Sequence, residues 1–194
     1  MSVLHGSSEM SELSPSSVAS ELKSTSTDLD AVLERIEKCV GEISHRFGRW
    51  DDPYARGPGL YFVVERDSMA EFAAPMGTNR WPVEDCGSVF SETDVFLETA
   101  QKVALSCDGA VVVRNDGTIR EEMVRVKQLS ADEYRRINDL PYAEWMGTRH
   151  MSALETSVRE EVIAAVTLSE ENGRVTVFID GAFEDSPAAF RVTD

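Results

Sequence analysis

Three short apolar runs constrain the fold of this chain more than any other feature of its sequence. They occupy residues 60–65 (LYFVVE), 110–114 (AVVVR) and 162–168 (VIAAVTL). Runs of this length, rich in β-branched side chains and bounded by turn residues, are typical of buried β-strands. Because such strands need cover on their faces, the chain is predicted to build layers of helix around a sheet.

Helical patterns fill much of the sequence around these runs. Apolar residues recur at spacings of three and four from Asp28 to Phe47, and again over residues 92–106, which predicts two helices. A third helix is predicted to begin at Arg149 and to end near residue 161.

Two turn signals predict hairpins. Residues 115–117 (NDG) lead from the second apolar run into a returning strand over residues 118–126. Residues 172–173 (NG) lead from the third run into a last strand over residues 174–179. Since hairpins join antiparallel neighbours, we expect an α/β fold of mixed α+β type, with a central mixed β-sheet flanked by helices.

Length and charge bound the class of protein. The 194 residues suffice for one domain, and the net charge of −16 disfavours binding to nucleic-acid phosphates. No apolar stretch reaches the roughly 20 residues of a membrane-spanning helix, and the N-terminus lacks the apolar core of a signal peptide. We therefore expect a cytoplasmic protein that binds neither nucleic acid nor membrane. Residues 1–27 are serine-rich and predict a flexible tail before a domain over residues 28–194.

Two further features of the composition narrow the class of protein. The acid-rich, lysine-poor composition is typical of halophilic proteins, with an ordinary acidic protein as the alternative. The three cysteines form no CxxC pair, which argues against a disulfide framework and a structural zinc site.

The first candidate site is Gly147-Thr148-Arg149-His150, at the predicted start of the third helix. Thr148 is a good N-cap residue, yet Arg149 and His150 add positive charge where the helix dipole is already positive. A bound phosphate would resolve this conflict, because backbone N–H groups and the guanidinium would both point at it. The alternative is that Arg149 reaches away to an acidic neighbour.

The second candidate is Asp108-Gly109-Ala110, between the second helix and the second apolar run. Gly109 lets a nucleotide approach the backbone, and Asp108 can bind a metal ion or accept a proton. An ordinary helix cap and turn is the alternative. Residues 180–182 repeat the same tripeptide after the last predicted strand, so position must distinguish the two copies.

The third candidate is Ser169-Glu170-Glu171, which ends the third apolar run. The ends of strands are favoured places for ligands in α/β sheets. Ser169 can bind phosphate oxygens and Glu170 can help to hold a divalent metal ion. The alternative is a polar hairpin that leads into the following turn.

Taken in order, three segments resemble the diadenylate cyclase domain, the DisA N-terminal family: DGAVVV (108–113), GTRHMSAL (147–154) and VTLSEENG (166–173). The hallmarks of this family are a DGA motif, a later GTRHR motif followed by Ser or Thr and then Ala, and a strand that ends in SEE before a hairpin. The resemblance extends over residues 90–182 and implies that family's fold.

The resemblance implies that two ATP molecules condense into cyclic di-AMP, with release of two pyrophosphates. Asp108, Arg149 and His150 would be catalytic, and Asp108 and Glu170 would hold Mn²⁺ or Mg²⁺. Because each site would hold one ATP, catalysis would need a homodimer or a higher homo-oligomer. The residues implied to contact ATP are Gly109, Ala110, Leu129, Gly147, Thr148, Arg149, His150, Ser152 and Ser169, with Leu129 contacting adenine through its backbone.

Two residues depart from the family pattern. Met151 stands where many members have the second arginine of RHR, and Cys107 stands where some have a histidine that can ligate manganese. The departures leave a second hypothesis, a catalytically degenerate nucleotide-binding module that senses ATP or cyclic di-AMP. A structural protein with an acidic surface is the third.

Overall fold

The computed structural model describes residues 15–52, 54–137 and 139–186. Its helices are α1 (Pro15–Phe47), α2 (Thr93–Ser106), α3 (Ala131–Arg136) and α4 (Thr148–Ser157). Its strands are β1 (Leu60–Glu65), β2 (Ala73–Arg80), β3 (Val111–Arg114), β4 (Glu122–Val126), β5 (Val162–Leu168), β6 (Val175–Ile179) and β7 (Ala182–Asp185). None of the helices in this part of the chain is long and apolar enough to cross a bilayer.

The three apolar runs supply three adjacent strands of a five-stranded sheet with the order β3-β1-β5-β6-β7. Strand β1 pairs with β3 in parallel, with Phe62 opposite Val111, and with β5 in antiparallel, with Phe62 opposite Val166. Strands β5, β6 and β7 continue as antiparallel neighbours. The predicted mixed sheet is confirmed.

Alternation along β1 divides the core between the two faces of the sheet. Phe62 and Val64 belong to the apolar cluster that contains the buried residues of α1 and α2. Tyr61 and Val63 belong to the cluster that contains the buried residues of α4. Since successive side chains of a strand point to opposite faces, one apolar run serves both layers, and helices flank the sheet as predicted.

Helix α1 begins at Pro15, which corrects the predicted start at Asp28. The predicted flexible tail and the domain bound at residue 28 stay predictions, although residues 15–27 are helical. The physical reason is composition, because alanine, leucine, glutamate and lysine stand among its serines and favour helix. Residues 1–14, the rest of the predicted tail, lie outside the described residues.

The hairpin predicted after β3 is the second correction. Strand β4 pairs with β2, with Ala73 opposite Val126, and the two form a separate sheet. Strand β2 was not predicted. It contains Pro75 and Gly77, which a two-stranded ribbon tolerates because each of its strands has a free edge. Two isolated bridges, between Val113 and Ile119 and between Ala110 and Val124, remain of the predicted pairing between residues 110–114 and the returning segment.

Candidate functional site

The three candidate motifs meet at one cavity of about 930 Å³. It is lined by all but one of the predicted site residues: Asp108, Gly109, Ala110, Gly147, Thr148, Arg149, His150, Ser152, Ser169 and Glu170. The exception is Leu129, which is buried, although Lys127 and Gln128 immediately before it line the cavity. Segments far apart in the sequence thus form one site.

The mixed sheet explains why these segments meet. Strands β1 and β3 run in the same direction and β5 runs in the opposite direction. The amino ends of β1 and β3 therefore lie at the same edge of the sheet as the carboxyl end of β5. Residues 108–110 precede β3 and residues 169–171 follow β5, and the N-terminus of α4 reaches the same edge.

Asp108 presents a free carboxylate to the cavity. Its side chain is exposed and, within the described part of the chain, has neither a hydrogen-bond nor an ion-pair partner. Its backbone carbonyl accepts a hydrogen bond of 2.7 Å from Asn79 Nδ2, which fixes the main chain at this position. A free, exposed carboxylate on a fixed backbone is suited to holding a cation or accepting a proton.

Gly109 is required by both conformation and space. Its φ is +102°, which disfavours other residues, and a Cβ would lie 3.0 Å from the Val124 carbonyl oxygen and from the Met76 side chain. Ala110 exchanges backbone hydrogen bonds of 2.7 and 2.9 Å with Val124. The tripeptide therefore joins the two sheets at the cavity. The second copy, at residues 180–182, lies at the turn between β6 and β7 and does not line the cavity.

Helix α4 begins without a side-chain cap. Its N-cap is Gly147, one residue before the predicted Thr148, and no side chain hydrogen-bonds to the cap. The first N–H groups of a helix have no partner within the helix, and together with the helix dipole they favour an anion. Because Gly147 and Thr148 line the cavity, this anion-binding end faces it.

Arg149 is held at the cavity wall by an acidic neighbour and by a glycine. Its Nη2 lies 3.7 Å from Glu170 Oε2, and the same oxygen lies 3.1 Å from Arg56 Nη2. A Cβ on Gly59 would lie 2.6 Å from Arg149 Nη1, so the guanidinium occupies the space that this glycine leaves. The acidic partner that the sequence left as an alternative is present, and it lies within the same cavity.

His150 is a buried wall of the cavity. Its ring packs edge-on against Trp145 at 5.1 Å between centroids, and within the described part of the chain neither ring nitrogen has a hydrogen-bond partner. Burial, reinforced by the positive charges of Arg149 and Arg174, lowers the pKa of His150 to about 4. The imidazole is therefore neutral at pH 7 and adds no positive charge. Its predicted catalytic role stays a prediction.

The turn after β5 is braced by the end of α1. Ser169 is buried, and its Oγ accepts a hydrogen bond of 3.3 Å from the Glu171 N–H. Ser44 Oγ donates a hydrogen bond of 2.6 Å to the Gly173 carbonyl, and the Trp50 indole donates one of 2.9 Å to the Ser44 carbonyl. Both interpretations of this segment therefore apply to the same rigid turn: it is the predicted polar hairpin, and it lies at the predicted ligand-binding position.

The cavity wall also contains side chains that were not predicted, among them Tyr61, Arg125, Lys127 and Glu155. Helical spacing could have found Glu155, which lies three residues after Ser152 on the same face of α4. Arg125 and Lys127 could not have been found, because their place depends on the pairing of β4 with β2.

The charges and carboxylates of the cavity fit a divalent cation. The cavity is lined by the basic residues Arg125, Lys127 and Arg149 and by the acidic residues Asp108, Glu155, Glu170 and Glu171, so a bound triphosphate would need further positive charge. No group of three His, Cys, Asp or Glu side chains suited to a metal ion occurs among the described residues. Magnesium is commonly held by one or two carboxylates together with substrate phosphates, which is the role that the free Asp108 carboxylate suits.

A mixed sheet with an uncapped helix N-terminus, a required glycine and a free carboxylate at one edge is an α/β arrangement suited to a phosphate-bearing ligand. Residues 88–183 match the family model DAC, described as DisA bacterial checkpoint controller nucleotide-binding. Through this segment, about half of its length, the chain belongs to the DAC family.

Solved structures show a similar architecture. A hypothetical membrane-spanning protein from Bacillus cereus is 18% identical, with a TM-score of 0.51, and the match covers 78% of this chain and 61% of that one. A double mutant of DacA from Staphylococcus aureus is 17% identical, with a TM-score of 0.49 and coverage of 82% and 88%. No curated protein matches the sequence. At these identities the likeness to the Bacillus cereus protein concerns the fold alone.

Proposed function

We propose that this protein is a diadenylate cyclase that condenses two ATP molecules into cyclic di-AMP and releases two pyrophosphates. The observation that carries the proposal is the convergence of residues 108–110, 147–152 and 169–170 on one cavity, within a chain of the DAC family. These are the segments that would have to act together on one nucleotide.

The N-terminus of α4 is the proposed binding place of the triphosphate. The N–H groups after Gly147, the Thr148 and Ser152 hydroxyls and the Arg149 guanidinium all line this end of the cavity. Phosphate oxygens would replace Glu170 as the partner of the Arg149 guanidinium, because the contact between Arg149 and Glu170 is long, at 3.7 Å. The buried Ser169 adds a further hydroxyl to the cavity lining.

The chemical step is phosphoryl transfer to a hydroxyl group. The 3′-oxygen of one ATP attacks the α-phosphorus of the other, the new O–P bond forms, and the bond to pyrophosphate breaks. Asp108 accepts the proton of the attacking hydroxyl, and its carboxylate would also hold a metal ion when one is bound. Positioning and neutralisation of charge supply most of the catalysis in such reactions. A bound Mg²⁺ or Mn²⁺ would supply counter-charge to the phosphate oxygens and the leaving group.

A second copy of the chain completes the proposed reaction. One cavity holds one ATP, and each ring closure needs two hydroxyls that attack two phosphorus atoms. A two-fold arrangement that brings two cavities face to face satisfies both steps with the same residues. Met151, which is 38% exposed beside the cavity, leaves this rim apolar where many family members have an arginine.

A second candidate is a nucleotide-binding module that senses ATP or cyclic di-AMP without catalysis. The observation that favours it is the loss of cationic charge in the motif at the start of α4. Met151 is uncharged and His150 is neutral at pH 7, so Arg149 is the motif's remaining cation.

The experiment compares two aspartates that stand in the same tripeptide. Purified protein is incubated with ATP and Mn²⁺ or Mg²⁺, and cyclic di-AMP is measured by mass spectrometry. Asp108→Asn should abolish synthesis with an unchanged melting temperature, whereas Asp180→Asn should retain it. Binding of ATP without product under varied metals and salt concentrations would favour the sensing module, and unchanged turnover in Asp108→Asn would contradict the proposed role.

A further inference from the structure

A second, smaller cavity adjoins the one that the motif residues line. Its volume is about 160 Å³, and it shares Asp108, Arg149 and Glu170 with the larger cavity. The last residues of α2 and the side chain of Arg56 complete much of its wall. Arg149 lines both cavities, whereas Arg56 lines only the smaller one. A ligand in the larger cavity therefore meets Arg149, and Arg56 lies outside that lining.

The two arginines share one carboxylate oxygen. Arg56 donates to Glu170 Oε2 from Nη2 at 3.1 Å and from Nε at 3.3 Å. Arg149 Nη2 lies 3.7 Å from the same oxygen, which is longer than a hydrogen bond. Because Arg56 is the nearer partner and uses two N–H groups, Arg149 keeps only a long electrostatic contact with Glu170.

The surroundings of Arg56 favour this place for its guanidinium. The Gly57 N–H donates a hydrogen bond of 3.1 Å to the Glu170 carbonyl, so the main chains on both sides of the ion pair are joined. A Cβ on Gly57 would lie 2.2 Å from the Trp50 ring and 2.7 Å from that carbonyl oxygen, so the two segments pack closely. The last turn of α2 carries no basic residue of its own, and the negative end of its dipole favours a cation in the smaller cavity.

We propose that Arg56 is a positioning residue, which occupies Glu170 and thereby leaves the Arg149 guanidinium available to the phosphates of a ligand. Without Arg56, an unpaired Glu170 carboxylate lies 3.7 Å from Arg149 Nη2, and the two groups close into a direct ion pair. The phosphates must then break that pair before they can bind Arg149. The inference rests on the proposed function, because it takes the ligand to be a nucleoside triphosphate.

The first test removes the arginine that occupies Glu170, and calorimetry measures the binding of ATP with the same metal ion throughout. Arg56→Ala should bind ATP about three- to fivefold more weakly, the effect of one partly exposed ion pair that the ligand must break. Arg56→Lys keeps a cation within reach of Glu170 and should recover most of the affinity. Arg46→Ala, which removes an exposed arginine paired with Glu42 outside both cavities, is the matched control and should bind as the parent does. Equal affinities in the parent and in Arg56→Ala would overturn the proposal.

The second test separates positioning from a direct attraction between Arg56 and the ligand. Glu170→Gln removes the carboxylate that competes for Arg149, so adding Arg56→Ala to it should change the affinity for ATP by less than about twofold. Both proteins in this comparison carry Glu170→Gln, so a metal ion held by Glu170 affects them alike. A loss as large as in the parent background would show that Arg56 acts on the ligand itself, which would contradict positioning.

A third measurement separates positioning from a structural role and from the proposed reaction. Adenosine lacks phosphates, so its binding, followed by ligand NMR, should be the same in the parent and in Arg56→Ala. Parallel weakening of ATP and adenosine would mean that Arg56 supports the shape of the cavity, and would defeat this inference. The expected pattern without synthesis of cyclic di-AMP would defeat the cyclase and leave the inference standing. Failure of the parent protein to bind ATP would defeat both.

Discussion

At the scale of single residues, His150 illustrates how burial changes what a motif residue can do. The sequence places it beside Arg149 at the start of a helix, where it is read as a phosphate-binding cation. In the fold it packs against Trp145 and Phe178, and its neutral form is the stable one. An aromatic pocket with two cationic neighbours favours a ring without charge.

This environment makes a prediction about stability and pH. Because burial lowers the pKa of His150 from 6.5 to about 4, the unfolded chain binds a proton between these values that the folded chain does not. The associated stability is present above pH 6.5 and is lost as the pH falls toward 4, by about 1–3 kcal/mol.

Urea unfolding across this pH range tests the prediction. His150→Leu should remove this contribution to the slope of stability against pH, whereas His45→Leu, at an exposed position, should not. Identical slopes in the parent and in His150→Leu would show that the buried ring is not the source.

At the scale of elements, the start of β1 sets the position of a functional side chain on α4. Gly59 immediately precedes β1, and the Arg149 guanidinium occupies the volume that a side chain there would need. The clash predicted for a larger residue falls on the flexible end of an arginine. Such a clash is relieved by movement of the arginine, at little cost to the fold.

We therefore predict that Gly59→Ala weakens ATP binding by about five- to tenfold while changing the free energy of unfolding by less than about 1 kcal/mol. Calorimetry and urea unfolding measure the two quantities. The double variant with Arg149→Ala should bind no more weakly than Arg149→Ala alone, because both changes remove the same contact. Additive losses in the double variant would contradict this mechanism.

At the scale of the whole molecule, the proposed active unit contains two chains. A chain with an inactive cavity can still pair with an intact one, and the resulting pair lacks one of the two groups that must act. Added Asp108→Asn protein should therefore lower the activity of the parent protein more than an equal volume of buffer does. Specific activity of the parent should also rise with protein concentration until pairing is complete.

Both effects are measured from the initial rate of cyclic di-AMP formation. Added Asp180→Asn protein is the control and should increase total synthesis. Specific activity that is independent of concentration, together with no inhibition by Asp108→Asn, would contradict pairing of cavities.

Much of the architecture followed from the sequence because it depends on local patterns. The apolar runs predicted β1, β3 and β5, since short runs that are rich in β-branched residues and bounded by turn residues are typical of buried strands. The motif residues predicted most of the cavity wall, because the resemblance to one family associates the three motifs with a single nucleotide site. Strand β2 escaped prediction because its Pro75 and Gly77 favour loops, and its partner β4 stabilises it only in the fold.

The sequence by itself determined the mixed sheet, its helical layers and the three segments 108–110, 147–150 and 169–171 as candidate site elements. Only the tertiary structure decided how these segments meet at one cavity, since their meeting depends on the opposite directions of β1 and β5. It also decided the neutrality of His150 and the place of Glu155. Periodicity and capping act between neighbours in the chain, whereas burial and convergence arise from distant segments.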